Sequence, residues 1–517
     1  MTIYSKNLKV LMIEPAIQKP TFDRAKPNGN LGPAYIIGAL RKSGIEADYL
    51  DATVGQEGRD LEHTFYNKVE LESGLVRVGM DPKEYYEIFC HYDIIATSSI
   101  FSAQTRMHFE IAKIAKEVSK KNGKKILTIS GGVNARALRE HFLSNGFDIV
   151  ALGDGERTIV QVVEQFSKTK PDFSKVERIA FRENGKTIIT SAVKRKATKF
   201  LDDHVPHPAI DAFPLDTYQK LSIPHAGYIP PGTRIAPIMT ARGCQDACTF
   251  CHVSKDKQER ELYGDIGYLK LFSEERVAQD VIRAEKLGVT RLYFEDDNLF
   301  FNKKRLFKLA PYLQRSGMSY SDANGANLRF MVNKDNGKYT VDEDFIKMLS
   351  GFGMDELLLP FETRSNEMLQ KYATGKFDPE TMMPYEIVKS VKRNGISARS
   401  NFLIGFRDET WESILSTKEF AKNLFKEGID QAGFAIPVPY PGTLDFDYQM
   451  SKTDVKKEFN ENVLYYTDFM HPLLPPLFPT NVPGDKLVKA CREFWEELNT
   501  SDYVSHADKH QLSITGY

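Results

Sequence analysis

The chain has 517 residues, more than one hydrophobic core usually supports, so about three units of roughly 150 residues each are expected. Its Lys+Arg count of 69 against Asp+Glu of 70 leaves a formal charge of -1, which gives no global field to attract nucleic acid or an anionic membrane. Small substrates are favoured over polyanions.

The apolar run from Val10 to Ile13 stops at Glu14, too short for a signal peptide. No later apolar stretch is long enough to span a bilayer. Of the five cysteines, three crowd between Cys244 and Cys251. That is a poor disulfide framework and a good metal or cluster framework in a reducing compartment, so a cytoplasmic location is expected.

From the start to about residue 168, short apolar runs alternate with amphipathic stretches. The runs are Lys9 to Ile13, Ala47 to Leu50, Tyr92 to Ser99, Lys125 to Ser130 and Phe147 to Gly153. Helical spacing over Gly32 to Lys42, Met107 to Lys120 and Arg157 to Phe166 would cover both faces of a doubly wound parallel sheet. Such a sheet binds its ligand at the C-terminal strand ends. Here these are small or polar: Asp51-Ala52, Ser98-Ser99, Ser130-Gly131-Gly132 and Gly153-Asp154-Gly155-Glu156. Ordinary turn chemistry explains any one of them taken singly.

Residues 169–230 carry Pro206, Pro208, Pro214, Pro224, Pro230 and Pro231 with little periodicity, and are expected to form a linker with local hairpin structure. Alternation resumes over 231–445. Six strand candidates follow: Ile235 to Thr240, Arg291 to Glu295, a poorly defined one near Asn327 to Met331, Glu356 to Phe361, Ser400 to Ile404 and Gly433 to Val438. Helices are expected between them, including Glu274 to Leu287, Lys304 to Arg315 and Ser413 to Lys426. Six strand-helix units predict an open, partial (β/α)6 barrel with its site at the C-terminal strand ends. The irregular tail, 446–517, contains a Pro-rich stretch from His471 to Pro479 and is expected to cap the mouth. The fold class is α/β throughout.

The loop Arg242-Gly243-Cys244-Gln245-Asp246-Ala247-Cys248-Thr249-Phe250-Cys251-His252 follows the first barrel strand. Its C-x3-C-x2-C spacing supplies three soft thiolates, suited to iron-sulfur or zinc. A zinc knuckle with His252 as fourth ligand is the alternative, although such sites usually pair two short ligand pairs across a longer spacer.

With Phe250 at the aromatic position, the loop resembles the signature of the radical S-adenosylmethionine (SAM) superfamily, C-x3-C-x-aromatic-C. The resemblance implies a 4Fe-4S cluster on Cys244, Cys248 and Cys251, SAM bound to the unique iron, and one-electron cleavage to a 5'-deoxyadenosyl radical. It further implies SAM contacts at Glu295 and Asp296 in the turn Glu295-Asp296-Asp297-Asn298, at Glu362 after Phe361, and at Asn401 and Gly405 in the stretch ending Glu409-Thr410. Glu409-Thr410 also reads as a helix start. The similarity covers roughly residues 232–445.

Ahead of such a loop, the small strand ends of residues 1–168 resemble the Rossmann-like cobalamin-binding domain of class B radical SAM enzymes. That similarity implies cobalamin contacts at Asp51, Ser98, Ser99, Ser130, Gly131, Gly132, Gly153, Gly155 and Glu156. Other cobalamin proteins place a cobalt-binding histidine in D-x-H-x-x-G; here Asp51-Ala52-Thr53-Val54-Gly55 has none. Ile100 to Met107 is positioned to face the lower side of the corrin.

The activity implied is methylation of an unactivated carbon, or phosphorus, in a small metabolite or natural-product precursor. An external electron donor of flavodoxin or ferredoxin type is implied with it. His252 and Tyr372-Ala373-Thr374-Gly375-Lys376 are similar to members acting on phosphonate-type intermediates. The alternatives are a cobalamin-dependent radical SAM rearrangement, cyclisation or oxidation without methylation, and a non-catalytic cobalamin-binding sensor. Cys90 and Cys491 are expected to be apolar fillers.

Overall fold

The first sheet is built from short apolar strands: β1 (Lys9–Glu14), β2 (Glu46–Asp51), β3 (Ile94–Ser98), β4 (Leu127–Gly131) and β5 (Ile149–Ala151). A computed structural model describes residues 8–20, 25–27, 29–191, 200–223, 229–373, 376–464 and 478–499. These five strands pair in parallel in the order β2-β1-β3-β4-β5. That is a flavodoxin-like order, whose switch point lies between β1 and β3. Successive side chains point to opposite faces, so Val10 and Met12 enter one core while Leu11 and Ile13 enter another. Helices α1 (Leu31–Lys42), α2 (Thr105–Asn122) and α3 (Gly155–Phe166) cover the two faces. The α1–α3 approach is close enough that a Cβ on Gly155 would lie 2.6 Å from Ile36.

The stretch expected to be a linker does more than connect. Strands β6 (Ile179–Glu183) and β7 (Lys186–Ile189) form a hairpin that adds antiparallel strands beside β5. Its turn is Asn184-Gly185, both at positive φ (50° and 76°), the geometry that matches hairpin twist.

The second sheet consists of β8 (Ile235–Ile238), β9 (Arg291–Phe294), β10 (Ser319–Asp322), β11 (Met354–Glu362), β12 (Ser397–Leu403) and β13 (Gln431–Ala435). All pair in parallel and in chain order, as a six-stranded partial barrel requires. Its third strand is not near Asn327 to Met331, where a short 3-10 turn over Leu328–Phe330 stands instead. It is Ser319–Asp322, whose Ser-Tyr-Ser-Asp sequence carries little apolar signal. Only Tyr320 joins the aromatic layer under the helices, beside Phe294 and Phe352.

Helices α4 (Glu274–Lys286), α5 (Lys303–Arg315), α6 (Glu343–Gly351), α7 (Asn366–Tyr372), α8 (Pro384–Arg393) and α9 (Trp411–Lys426) follow successive strands. Thr410 caps α9 by accepting from the Ser413 N–H, so Glu409-Thr410 is indeed a helix start. In the tail, α10 (Leu444–Met450) lies by the cysteine loop, and α11 (Gly484–Leu498) packs on the outer strand β13. The α11 ring of Phe494 meets Phe434 at 5.4 Å, and the Asn499 side chain pairs with both backbone groups of Ala432 at 2.8 and 2.9 Å. The described part of the expected cap therefore closes the open barrel edge; residues 471–477 of the Pro-rich stretch lie outside the described residues. Cys491 is buried on α11 within that packing, and Cys90 is half-buried. Among the described residues no helix is long and apolar enough to cross a membrane.

Candidate functional site

The C-terminal strand ends of both sheets meet at one cleft. It has a volume of about 330 Å³ and takes Ser98, Gly131, Gly132, Gly153, Gly155 and Glu156 from the first sheet, and Met239, Arg242 and Glu295 from the barrel. Six of the nine first-domain residues expected to face a ligand therefore line it. The other three do not. Asp51 accepts from the Thr53 N–H at 2.8 Å and the Tyr218 hydroxyl at 2.7 Å, turned towards the segment after β7. Ser130 is buried against Thr97, and Ser99 accepts from the Asn134 side-chain amide. In short strands alternate residues face the core, and no composition signal tells a cleft serine from a core serine.

Across this cleft, Arg242 pairs with Glu156 at 2.5 Å and with Asp154 at 3.5 Å, its guanidinium 4.6 Å from the centre of the Tyr35 ring. Lys270 adds a second cation to Asp154 at 3.0 Å. Burial alone would raise the Asp154 carboxyl, but Lys270, Arg242 and Arg178 hold it well below the usual range. Glu295 accepts from the Leu31 N–H at the start of α1, and burial pushes its carboxyl up to about 7. Glu14, at the end of β1, is likewise raised to about 8 by burial, with Asp51 adding to the effect.

The cysteine loop leaves β8 and passes under α7. Cys248 is buried with Leu369 and Ala373, while Phe250 and Cys251 pack beside it. The Thr249 N–H donates to the Tyr372 carbonyl at 2.9 Å, and Phe250 meets Phe406, which stacks on Tyr372 with ring centres 4.8 Å apart. Tyr372-Ala373 and Lys376 are thus part of the loop's housing; Thr374 and Gly375 lie outside the described residues. Burial pushes the Cys248 and Cys251 thiols up to about 12 and raises Cys244. A metal must displace those protons for thiolate ligation, which couples binding to proton release.

Asp296, expected to meet a ligand, is instead spent on the barrel: it accepts from the Thr240 N–H at 2.9 Å and the Thr240 hydroxyl at 2.6 Å. Its two neighbours face the loop. Asp297 accepts from the Gly243 N–H at 2.7 Å, and the Asn298 amide donates towards the Cys244 sulfur at 3.9 Å. The buried Asn298 Oδ1 has no protein partner, so an acceptor stands ready beside the loop for an ammonium or hydroxyl donor. The acidic turn is visible in the sequence, whereas which of its members faces the loop is set by the turn that follows β9.

Glu362 adopts a left-handed φ of 61°, rare for a residue with a Cβ. It ends β11 buried and ion-paired with Lys376. The Lys376 ammonium favours the Cys248 thiolate, and Glu362 opposes it. A half-buried lysine beside a thiol is a charge partner that distance in the chain conceals. Asn401 is exposed on β12. Gly405, at φ 84°, could not carry a Cβ, which would meet Leu487 of α11 at 2.5 Å. Its N–H donates to Glu409 at 2.7 Å, so this glycine seats the tail helix.

Three thiols on one loop with an orphaned acceptor alongside suit a cluster that keeps one iron for a chelating ligand. Among the described residues no three His, Cys, Asp or Glu side chains gather as a metal-ion site. The cleft fits part of a flat, large cofactor. Its edges are the glycines 131, 132, 153 and 155, and Ile100, 42% exposed, lines it as well.

Comparison with known proteins agrees with this layout. Residues 238–421 match the model of the Radical SAM superfamily. An uncharacterized methyltransferase of Pyrococcus horikoshii is 27% identical over 358 residues, 69% of this chain and 68% of its own length. The cytidylyl-2-hydroxyethylphosphonate methyltransferase of Streptomyces wedmorensis is 23% identical over 98% of this chain and 93% of its own. Among solved structures, the cobalamin-dependent SAM radical enzyme OxsB with aqua-cobalamin bound superposes with a TM-score of 0.60 at 16% identity, over 80% of this chain. This chain covers about half of OxsB, 52%. The radical SAM methyltransferase TsrM from Kitasatospora setae, with cobalamin and a [4Fe-4S] cluster bound, gives 0.59 at 13% identity, over 86% of this chain and 78% of that one. These likenesses establish the two-part fold.

Proposed function

We propose that this chain, which carries a radical SAM domain, is a cobalamin-dependent radical SAM methyltransferase acting on a small molecule. The observation that carries the reading is the single cleft at which the ends of both sheets converge, with the cysteine loop beginning two residues after Arg242. A first unit over 1–168, extended by the hairpin at 179–189, would hold the corrinoid. The barrel over 231–445 would hold the cluster and SAM, with the described tail residues 446–464 and 478–499 packed against it.

When bound, these groups supply one-electron cleavage of SAM and a transferable methyl group. The protein's part is alignment. Cys244, Cys248 and Cys251 would ligate the cluster, with Lys376 offsetting thiolate charge. Asn298 offers an acceptor where a SAM ammonium would lie. Gly131, Gly132, Gly153 and Gly155 permit close approach of a flat ring, and Arg242 with Glu156 fixes the two halves about the substrate space. A near-neutral net charge supports a small-molecule substrate over a polyanion. An external one-electron donor is required by the chemistry, and a cytoplasmic location suits five unpaired cysteines.

The test is product analysis after anaerobic reconstitution, with deuterated-methyl SAM and, as first candidate, the cytidylyl-2-hydroxyethylphosphonate named for the Streptomyces relative. Methylation is expected to release S-adenosylhomocysteine and 5'-deoxyadenosine in a ratio near one, with a deuterated methyl in the product. If 5'-deoxyadenosine alone forms, from this substrate or from a host extract, the enzyme is a non-methylating radical SAM catalyst.

A further inference from the structure

The cysteine loop is walled from solvent on one side by a thin layer, and that layer carries a distinctive outer face. Leu369 and Ala373 of the α7 region touch Cys248. Lys371 lies between them in sequence, and residues two apart on a helix face opposite ways; its side chain is 45% exposed. Beside it, Phe250 meets Phe406 at a tilt, and Phe406 stacks on Tyr372. The Arg407 guanidinium lies 5.9 Å from the Tyr372 ring centre and 3.8 Å from that of Tyr448. Tyr448 is 47% exposed, and Lys452 lies 5.1 Å from the centre of the same ring. The acids nearby are Asp408, which contacts Lys371 and Tyr372, Asp445, which accepts from Thr249 and faces Arg407, and Asp447, which pairs with Lys255.

An exposed tyrosine against an arginine is a pairing enriched at protein contacts, and Lys452 and Lys371 add positive charge beside it. We propose that Lys371, Arg407, Tyr448 and Lys452 form the docking surface for an acidic one-electron carrier protein. The assignment rests on the cluster reading above. Charge complementarity selects the carrier, and the short path through Leu369, Ala373 and the aromatic stack gives docking at this face its purpose. In the step, one electron passes from the reduced carrier to the oxidised cluster. The carrier is oxidised by one electron, no bond breaks and no proton moves.

The experiment uses reconstituted full-length protein whose iron content has been measured first, with reduced flavodoxin as the carrier and dithionite as a small chemical reductant. The double variant Lys371→Glu/Lys452→Glu should weaken flavodoxin binding and slow cluster bleaching by flavodoxin about tenfold at low salt, while bleaching by dithionite stays unchanged. Tyr448→Ala, which leaves the charges in place, should weaken flavodoxin binding too. Lys121→Glu, on an exposed helix end of the first unit, should do neither. Flavodoxin binding and bleaching unaltered in the double variant overturn the proposal. So does an equal loss in Lys121→Glu, or a parallel loss with dithionite. Wild-type protein that takes up no iron overturns the reading beneath it instead.

Discussion

Arg242 and Glu156 face each other at 2.5 Å across the boundary between the first sheet and the barrel. One stands two residues before the first cysteine of the loop; the other opens the last helix of the first unit's parallel core. Both side chains are largely buried, so the pair acts as a tie between the two cofactor-facing surfaces. Removing one partner of a buried pair typically costs about 3–5 kcal/mol, because the other charge is left without compensation. Asp154 also faces Arg242 and Lys270 also faces Asp154, which shares the load. Arg242→Ala is therefore expected to lower stability by about 2–4 kcal/mol, read as a shifted urea midpoint. Arg242→Lys should recover only part of the loss, since lysine lacks the planar fork.

The cysteine triad predicts metal stoichiometry. Anaerobically reconstituted protein should carry about four irons per chain, as a cube held by three thiolates requires. The Cys244→Ala/Cys248→Ala/Cys251→Ala variant should bind none while keeping its circular dichroism spectrum. One zinc per wild-type chain and no iron uptake would falsify the cluster assignment.

No histidine lines the cleft among its described residues, and His108, the nearest histidine to Ile100 to Met107, is buried against Phe142, with burial lowering its pKa to about 3. Cobalamin bound here should therefore show no axial nitrogen from the protein. Electron paramagnetic resonance of the cob(II)alamin form reads this directly, and a protein imidazole superhyperfine pattern would contradict it.

Glu295 predicts a pH signature. Its folded carboxyl is raised to about 7 by burial, from an ordinary value of 4.5. The native state therefore holds this proton more tightly than the unfolded chain between those values. Where the native state binds more protons, stability falls as pH rises. The window is pH 4.5 to 7. Glu295→Gln should flatten that decline, removing about 1–2 kcal/mol of it after allowance for partial exposure. Urea midpoints at pH 5 and pH 8 for both proteins measure the difference, and identical slopes count against the buried environment described.

Gly405 predicts a local effect. A Cβ there would meet Leu487 at 2.5 Å, and its φ of 84° is unfavourable for other residues. Gly405→Ala should cost about 1–3 kcal/mol and loosen α11, seen as faster proteolysis within 484–498.

Much of this was legible in the chain itself. The spacing of Cys244, Cys248 and Cys251 pointed to soft-metal or cluster chemistry, because three thiols within one loop are a local property. Apolar runs at regular intervals announced both sheets, and the glycines at 131, 132, 153 and 155 marked strand ends that do line the cleft. Where side chains had to be assigned to one face or the other, the chain alone was silent. Asp51, Ser99 and Ser130 resemble their cleft-lining neighbours in type, yet turn to the interior, because pleating sends successive residues opposite ways. Asp296 returns to Thr240 of the barrel while Asp297 and Asn298 reach the cysteine loop, because the chain turns after the strand ends at Phe294. The third barrel strand, Ser319–Asp322, was hidden because its polar residues are held by parallel neighbours on both sides rather than by an apolar pattern of its own. Contacts between distant segments depended wholly on tertiary structure: Arg242 with Glu156, Lys376 beside Cys248, Gly405 under Leu487. Each joins residues tens of positions apart, and nothing in local sequence encodes which distant side chain will fill the space beside a given one.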